Sequence, residues 1–292
     1  MEGRKASVKR RGFAAVHGAV LLFGLAGLFA RWIALSALAI AFGRVLFSSV
    51  ALGLFRLLGK RAFRVAEKKD LMRLLIAGAV LALHWWAFLA SIQLSTVAVG
   101  TLTFASFPLF VTLLEPLLFH RKLSIKSVAA ALTILLGVIV TVPAFSFENR
   151  MFRGVLVGLL SALAYAVLTL MNKGFAAKYD GALTAFYEQA SAALILLPFV
   201  LHSGCFRPTL PDLGLLLVLG VVTTALAHTL FISGLKTLPA RTAGLCSALE
   251  TVYGILFALL LLGEVPSLRE VIGCLLILGA VLVHQLTEPR EE

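Results

Sequence analysis

Long apolar runs recur along the whole chain, with only short polar stretches between them. Each run has about 20 predominantly apolar residues, the length at which a helix crosses a hydrocarbon core of roughly 30 Å. The pattern therefore predicts an all-α integral membrane protein with ten transmembrane helices, at residues 13–31, 36–56, 71–90, 96–118, 125–143, 152–173, 181–202, 213–232, 240–262 and 267–287.

The composition agrees with this class. Hydrophobic residues make up 60% of the 292 residues, charged residues only 14%, and the mean hydropathy is +1.01. A soluble domain carries about 25% charged residues. A basic stretch before the first span would also suit a signal peptide, but the apolar run is too long and Arg31-Trp32 stands where a small-residue cleavage site belongs. We expect a retained helix and no attached soluble domain.

The net charge of +12 raises the question of a nucleic-acid partner, and its distribution argues against one. With the N-terminus inside, 20 Lys and Arg residues fall on the inner side, five fall on the outer side, and Arg44 lies within the second span. The positive-inside rule then predicts both termini in the cytoplasm. The basic block from Arg56 to Arg73 is suited to anionic lipid head groups, so membrane lipid is the expected partner of this charge.

An internal similarity appears at a shift of 144 residues. The segment ASIQLSTVAVG (90–100) lies beside GLKTLPARTAG (234–244), and the same shift places His84 on His228 and Arg44 on Glu188. The shift predicts two repeats, 13–143 and 152–287, with five spans each. Because five is odd, the second repeat must enter the membrane from the opposite side. Inverted repeats are typical of secondary transporters, whose substrate site lies near the midplane.

Several of these stretches resemble the drug/metabolite transporter superfamily in its EamA-type branch. They are Arg44 in the second span, the run SIQLSTVAVGTLTFASFPLF, and the run LLLLGEVPSLREVIGCLLILG near the C-terminus. The resemblance implies ten helices, both termini inside, and alternating-access movement of small organic solutes, often outward. The sequence departs from the family pattern at Lys122, where the repeat aligns Glu264, and at Glu250-Thr251, where many relatives have Glu-Pro.

Three carboxylates lie well within spans: Glu115, Glu188 and Glu250. A charge at a helix centre costs about 2.5–3.5 kcal/mol, so such residues rarely lack a role. Glu250 lies roughly 15 Å from the inner end of its span, close to the midplane. It is the first candidate for contacting an amine or carrying a proton, with a buried structural pair as the alternative.

Glu115 lies only about 6 Å from the inner end of its span. On a helix wheel it shares a polar stripe with Thr101, Pro108 and Thr112, which predicts a cavity-facing surface. A carboxylate that reaches the interface or pairs with loop charges is the alternative. Pro108, at mid-membrane, is the best hinge candidate, because proline frees a backbone carbonyl within the helix.

The remaining candidates for a substrate or proton pathway are polar or aromatic residues within spans. The histidines could bind protons or hydrogen-bond substrate, or could be satisfied core residues. The arginine could pair with a carboxylate across the bundle or receive an anionic substrate group. These candidates are Arg44, His84, Trp85, Tyr165, Asn172, Glu188 and His228.

The sequence lacks the motifs that mark several classes of enzyme. There is no GxSxG, no HExxH and no GxxxxGK[ST], and Tyr179-Asp180 has no second aspartate within a span. The three cysteines show no metal or redox spacing, so we expect neither metal nor cofactor.

The sequence predicts a non-enzymatic inner-membrane transporter of an amino acid or related metabolite, with efflux as the expected direction and protons as a candidate coupling ion. An intramembrane enzyme or a ligand-sensing protein is the alternative, and monomer and homodimer both remain open.

Overall fold

The computed structural model describes residues 2–119, 125–141, 146–247 and 249–287, and across these ranges it contains helices and no strand. The class predicted from the apolar runs, an all-α protein, is therefore confirmed. The helices are α1 (Glu2–Ala26), α2 (Phe29–Trp32), α3 (Ala37–Leu58), α4 (Lys68–Leu94), α5 (Val97–Phe104), α6 (Phe107–Phe119), α7 (Ile125–Thr141), α8 (Arg150–Ala176), α9 (Gly181–Ser203), α10 (Leu210–Gly220), a π-helical segment (Val221–Leu226), α11 (Ala227–Gly234), α12 (Ala240–Ser247), α13 (Leu249–Leu262) and α14 (Leu268–Thr287).

Seven helical stretches are long and apolar enough to cross a membrane, judged by length and composition within the described residues. They correspond to the first, second, third, sixth, seventh, eighth and ninth predicted spans. Two further stretches are apolar but shorter, Val97–Val111 and Leu132–Thr141. These stretches support a multi-pass membrane protein, whereas the count of ten crossings remains a prediction.

The fourth predicted span is divided in the middle. A turn at Ala105 and Ser106 separates α5 from α6, and the Ser106 hydroxyl donates to the Thr103 carbonyl at 2.6 Å. Pro108 is the second residue of α6, where a missing N–H is tolerated because first-turn N–H groups have no helical partner.

This break corrects the helix-wheel argument made for residues 101–115. A shared face requires one continuous helix, whereas Thr101 belongs to α5 and Pro108 to α6. The polar stripe predicted from their spacing is therefore not formed by a single helix. The side chains of Thr112 and Glu115 lie outside the described part of the structure.

Glycines let the central helices approach closely at two places. A methyl group added to Gly78 of α4 would lie 2.7 Å from the Glu188 carbonyl oxygen of α9. A methyl group added to Gly220 of α10 would lie 3.0 Å from the Arg44 carbonyl oxygen of α3. Both contacts press a helix backbone against the turn that carries a charged residue. The positions of Glu188 and Arg44 are therefore fixed by backbone packing.

We expect Gly220→Ala to lower stability, whereas Gly214→Ala should not. The added methyl group at Gly220 meets the backbone of α3, which cannot yield as a flexible side chain would, and such overpacking costs about 1–3 kcal/mol. Gly214 lies in the same helix with no atom within 4 Å of the added group, so the better helix propensity of alanine acts alone. Melting temperatures in detergent would measure both, and equal melting temperatures would contradict the packing described here.

The connections gather at two ends of the bundle. We call the end where α1 begins the near end, and the opposite one the far end. At the near end, Arg56 donates to both Asp180 carboxylate oxygens at 2.9 and 3.1 Å, and to the Ala62 carbonyl. Asp180 also caps α9 by accepting from the Leu183 N–H, so its role beside Tyr179 is structural.

Asp70 is the second anchor of the near end. Its carboxylate, with 2% of the side chain exposed, accepts from the Lys178 ammonium at 2.9 Å and from the Tyr179 hydroxyl at 2.8 Å. The hydrogen bond to Asp70 raises the pKa of Lys178 above its usual value, because the bond favours the charged ammonium. The loop between α8 and α9 is thereby tied to the start of α4.

The far end is held by a different set of polar contacts. Arg31, after α1, pairs with Glu264 after α13 at 2.9 Å and donates to the Ser95 carbonyl. The other Glu264 oxygen accepts from the Val97 N–H at 3.0 Å, at the start of α5. Thr96 donates to Glu270 at 2.7 Å. These contacts link segments that belong to the two predicted repeats.

Candidate functional site

Arg44 lies in the middle of α3, fully buried, and is held by the π-helical segment. Its Nε and Nη2 both donate to the Thr224 hydroxyl oxygen, at 3.1 and 2.9 Å. The same hydroxyl donates to the Leu219 carbonyl five residues back, at 2.6 Å. A π-helical turn widens the helix and often marks a functional position. Here it carries the only hydrogen-bond partner of Arg44 among the described residues.

The guanidinium of Arg44 also stacks on Trp85 of α4, with its Cζ 3.3 Å from the ring centroid. A cation over an indole face is stabilised by the ring quadrupole, more so where water is excluded. Among the described side chains, no carboxylate oxygen lies within 4 Å of the Arg44 nitrogens, so the ion pair that was one of the two alternatives for Arg44 is not formed with any of them. Glu250 lies within electrostatic range at a longer distance. The third guanidinium nitrogen of Arg44, Nη1, is buried and has no hydrogen-bond partner.

A second buried pair lies between α9 and α11. The His228 Nε2 and the Glu188 Oε2 are 2.7 Å apart, and neither side chain has any exposed surface. The remaining polar atoms of the pair, Glu188 Oε1 and His228 Nδ1, have no hydrogen-bond partner. The neighbouring Gln189 is buried with both amide atoms unpartnered. The pair is thus a buried carboxylate–imidazole contact, and several polar atoms in and beside it lack hydrogen-bond partners.

Packed aromatic rings, which we call the aromatic lining, adjoin Arg44, because Trp85, on which it stacks, has its ring centroid 4.4 Å from that of His84. His84 of α4 contacts the ring of Tyr165 at 4.6 Å, and its Nδ1 lies 2.9 Å from the Ser161 hydroxyl oxygen of α8. Phe104 and Phe107, which flank the break in the fourth predicted span, contact the Tyr165 ring at 5.3 and 5.1 Å. The break therefore lies directly against the aromatic lining.

Glu250 lies in the first turn of α13, with 4% of its surface exposed. Among the described residues it makes no hydrogen bond and no ion pair. Next to it, the Thr251 hydroxyl donates to the Thr101 carbonyl of α5 at 2.9 Å, and Gly24 of α1 packs against the Glu250 carbonyl. These contacts position the helix while leaving the carboxylate available. The alternative of a close structural pair for Glu250 finds no partner in the described part of the chain.

Unsatisfied polar atoms concentrate in this region. Buried polar groups in proteins are nearly all hydrogen-bonded, so a concentration of exceptions calls for a functional reason. We name the residues Arg44, His84, Trp85, Tyr165, Glu188, His228 and Glu250 the central cluster. Its buried atoms without a hydrogen-bond partner are Arg44 Nη1, His84 Nε2, Trp85 Nε1, Tyr165 Oη, Glu188 Oε1 and His228 Nδ1.

Electrostatic contacts tie the members of the cluster together. Tyr165 lies within range of the charges of Glu250, Glu188 and Arg44. His84 lies within range of Arg44 and His228. Seven of the nine residues singled out by sequence for a pathway are therefore neighbours in space, although α3, α4, α8, α9, α11 and α13 contribute them.

The other candidates lie apart from the cluster or beyond what is described. Asn172 is buried on α8, about 10 Å along the helix axis from Tyr165 toward the near end, and its amide oxygen has no partner. The side chain of Glu115 lies outside the described residues. Pro108 follows Phe107 and lies beside the aromatic lining.

Sequence reasoning missed Thr224 and the phenylalanines of the lining. The only signal for Thr224 was a threonine pair in an apolar span, and the π-helical turn that aims its hydroxyl at Arg44 depends on tertiary packing. Phe104 and Phe107 cannot be told from lipid-facing phenylalanines by sequence, because both environments favour the same side chain.

Known proteins resemble this chain over most of its length. The inner membrane transporter YicL of Salmonella typhimurium, which carries no assigned substrate in its name, is 28% identical over 96% of this chain and 97% of its own. The pseudopaline exporter CntI of Pseudomonas aeruginosa is 25% identical over 82% of this chain and 84% of its own. The S-adenosylmethionine uptake transporter of Rickettsia bellii is 24% identical over 86% of this chain and 84% of its own.

A solved crystal structure has the same fold, with a TM-score of 0.69, 21% identity, and coverage of 97% of this chain and 98% of the other. The EamA-like transporter family matches twice, at residues 10–142 and again at 152–284. The two matches together cover most of the chain, in agreement with the resemblance found in its sequence. The protein belongs to the EamA-like transporter family.

Proposed function

We propose that this protein is a secondary transporter that moves a small organic solute across the inner membrane by alternating access, with the central cluster as its substrate site. The observation that carries this proposal is the concentration of unpartnered buried polar atoms, from five helices, beside a group of packed aromatic rings. An unpaired buried polar group costs about 1–3 kcal/mol. A polar solute that meets these atoms would recover that energy.

The architecture we propose is ten crossings in two inverted repeats, 13–143 and 152–287. Two features support it. If the chain crosses the membrane ten times, connections separated by an even number of crossings lie on the same side. Two pairs of such connections are in contact, through the ion pairs of Arg56 with Asp180 and of Arg31 with Glu264. In addition, Gly78 packs on the turn of Glu188 and Gly220 on the turn of Arg44. Arg44 and Glu188 correspond under the shift of 144 residues, and the two glycines correspond to within two residues.

The near end is cytoplasmic in this proposal. It carries the basic block between α3 and α4, and the positive-inside rule assigns such connections to the cytoplasm. Both termini then lie inside. The inner-membrane location is supported by the name of the YicL relative and by the apolar helices.

Bending at the break between α5 and α6 would open the cluster to one side. Pro108 stands one residue after Phe107, whose ring rests on Tyr165, so a change of angle at this point moves the aromatic lining. Hinges are a few residues at element ends that absorb backbone rotation. Pro108 and the preceding turn have this position.

The substrate we propose is an amino acid or related metabolite, moved outward. The cluster supports it by offering both an arginine and carboxylates to a solute that carries charges of both signs. The relatives do not fix a direction, because one is named an exporter and another an uptake transporter.

Metabolite profiling of cells tests this proposal. Cells that produce the protein should differ from cells that lack it in the ratio of medium to cytoplasmic concentration of at least one small polar metabolite. A Glu250→Gln variant, present at equal amounts in the membrane, should restore the profile of the cells without the protein. Identical profiles for all three strains, across growth conditions, would contradict transport.

A further inference from the structure

The guanidinium of Arg44 is occupied on one edge and on one face. A guanidinium has a side edge, formed by Nε and Nη2, and an end edge, formed by Nη1 and the second N–H of Nη2. Thr224 occupies the side edge, since its hydroxyl oxygen accepts from Nε at 3.1 Å and from Nη2 at 2.9 Å. Trp85 covers the face, with its ring centroid 3.3 Å from Cζ. The end edge is therefore the place at which a further group can bind.

The unpartnered atoms at and around this edge are rich in hydrogen-bond donors. Arg44 Nη1 and Trp85 Nε1 can only donate, and the Tyr165 hydroxyl can donate as well. All three atoms are buried, and no described residue supplies an acceptor to them. Tyr165 also lies within range of the charge of Arg44. The group that would satisfy these donors is an anion with at least two acceptor oxygens.

Charge selects a carboxylate among the possible anions. Its two oxygens match the spacing of Nη1 and Nη2, so that each accepts one hydrogen bond, and its single negative charge balances the single positive charge of the guanidinium. A phosphate monoester carries about 1.5–2 negative charges at pH 7, and the central cluster contains no second arginine or lysine to balance them. An uncharged carbonyl would leave the buried cation without a counter-charge.

We propose that the end edge of Arg44 binds a carboxylate of the transported solute, and that a free carboxylate is required of every solute that this protein moves. This inference rests on the proposed function. Arg44 is fully buried in this structure, so the carboxylate reaches it only when the bundle opens. Thr224 and Trp85 keep the guanidinium in place meanwhile, and only the end edge changes its partner. Because Glu250 remains available for a cationic group, the two ends of an amino acid would be bound by different residues.

Binding of a small carboxylate to the purified protein tests this subsite without transport. The probe is propionate, with propionamide as its uncharged analogue of similar shape and with sodium chloride added to equalise the ionic strength. Trp85 reports the binding by its fluorescence, in a protein whose other two tryptophans, Trp32 and Trp86, are replaced by phenylalanine. We expect a saturable change of the emission with propionate at concentrations below about 100 mM, and no change with propionamide.

Arg44→Lys keeps the charge and removes the end edge. We expect this variant to bind propionate at least about tenfold more weakly, because it loses a hydrogen bond between charged groups. Arg73→Lys is the matched control and should bind propionate as its parent does, since the Arg73 side chain is 54% exposed at the near end, 3.8 Å from Asp70. If the phenylalanine substitutions prevent folding, the melting temperature of the wild type should rise more in propionate than in propionamide, and this difference should be lost in Arg44→Lys.

Three results would overturn the carboxylate subsite: equal responses to propionate and propionamide, no response to either, or equal propionate binding by Arg44→Lys and its parent. Each would leave the transport proposal standing, since the titration measures no flux. Conversely, a protein that binds propionate as expected but exchanges no metabolite would refute transport and keep the subsite.

The solutes that the protein exchanges in proteoliposomes test the requirement for a carboxylate. Every exchanged metabolite should carry a free carboxylate, and the same metabolite should no longer exchange when that carboxylate is converted to a carboxamide. Exchange of a solute without a carboxylate, or equal exchange of a metabolite and its amide, would confirm a transporter and overturn the requirement.

Discussion

Glu250→Gln is expected to lower solute transport at least about 30-fold while leaving the folded protein unchanged. The pair lost is the one that the Glu250 carboxylate would form with a cationic group of the bound solute. Removing one partner of a buried charge pair costs about 2 kcal/mol or more, and each 1.4 kcal/mol changes the transport rate by a factor of ten. The carboxylate makes no hydrogen bond or ion pair with any described residue, so the amide deprives the fold of no direct contact. Transport rates in proteoliposomes and melting temperatures in detergent would measure the two effects separately.

The control for this experiment is Glu67→Gln. Glu67 lies at the near end, its side chain is 61% exposed, and its distance to Lys178 is 3.6 Å. Exposed pairs of this kind contribute little, about 0–1 kcal/mol, so transport and melting temperature should both stay at the wild-type values. If Glu250→Gln instead lowered the melting temperature and kept the transport rate, the carboxylate would be structural.

Arg44→Lys is expected to reduce transport by about tenfold to a hundredfold although the charge is kept. Lysine offers no planar fork, so it cannot donate twice to the Thr224 hydroxyl while stacking on Trp85. A lost hydrogen bond to a charged group costs about 1.5–3 kcal/mol. The ammonium would then lie in a different place from the guanidinium, and the geometry of the cluster would change.

A pair of threonine variants separates this role from a general effect on the helix. Thr223 and Thr224 both donate to the Leu219 carbonyl, at 2.9 and 2.6 Å, but Thr224 alone also accepts from Arg44. Thr224→Val should therefore impair transport, whereas Thr223→Val should lose a similar backbone contact and keep it. Equal transport by the two variants would contradict the role of Thr224 in orienting Arg44.

The sequence predicted the class of this protein because the bilayer imposes a length and an apolar composition on every crossing helix. The runs at 36–56 and 152–173, for example, appear as α3 and α8 within a few residues. The break after Phe104 was not predicted as such. Pro108 pointed to it, but a proline in the first turn of a new helix and one in a kinked helix have the same local sequence.

The candidate site was partly predictable for a similar reason. Ionisable residues are expensive within the membrane, so Arg44, Glu188 and Glu250 stand out in apolar spans. Their partners do not stand out, because a threonine such as Thr224 costs little and is common in helices of this kind. The pairing of Glu188 with His228 also depends on how α9 packs against α11, and no spacing within either helix encodes that contact.

Solute exchange by the purified protein tests the central claim most directly. Proteoliposomes are loaded with a metabolite extract of the producing cells and diluted into an isotopically labelled extract, and mass spectrometry follows the label that enters. We predict that at least one small polar metabolite exchanges with the wild type and fails to exchange with Glu250→Gln, while Glu67→Gln exchanges normally. No exchange of any metabolite by the folded wild type, or equal exchange by Glu250→Gln, would contradict the assignment of the central cluster as the substrate site of a transporter.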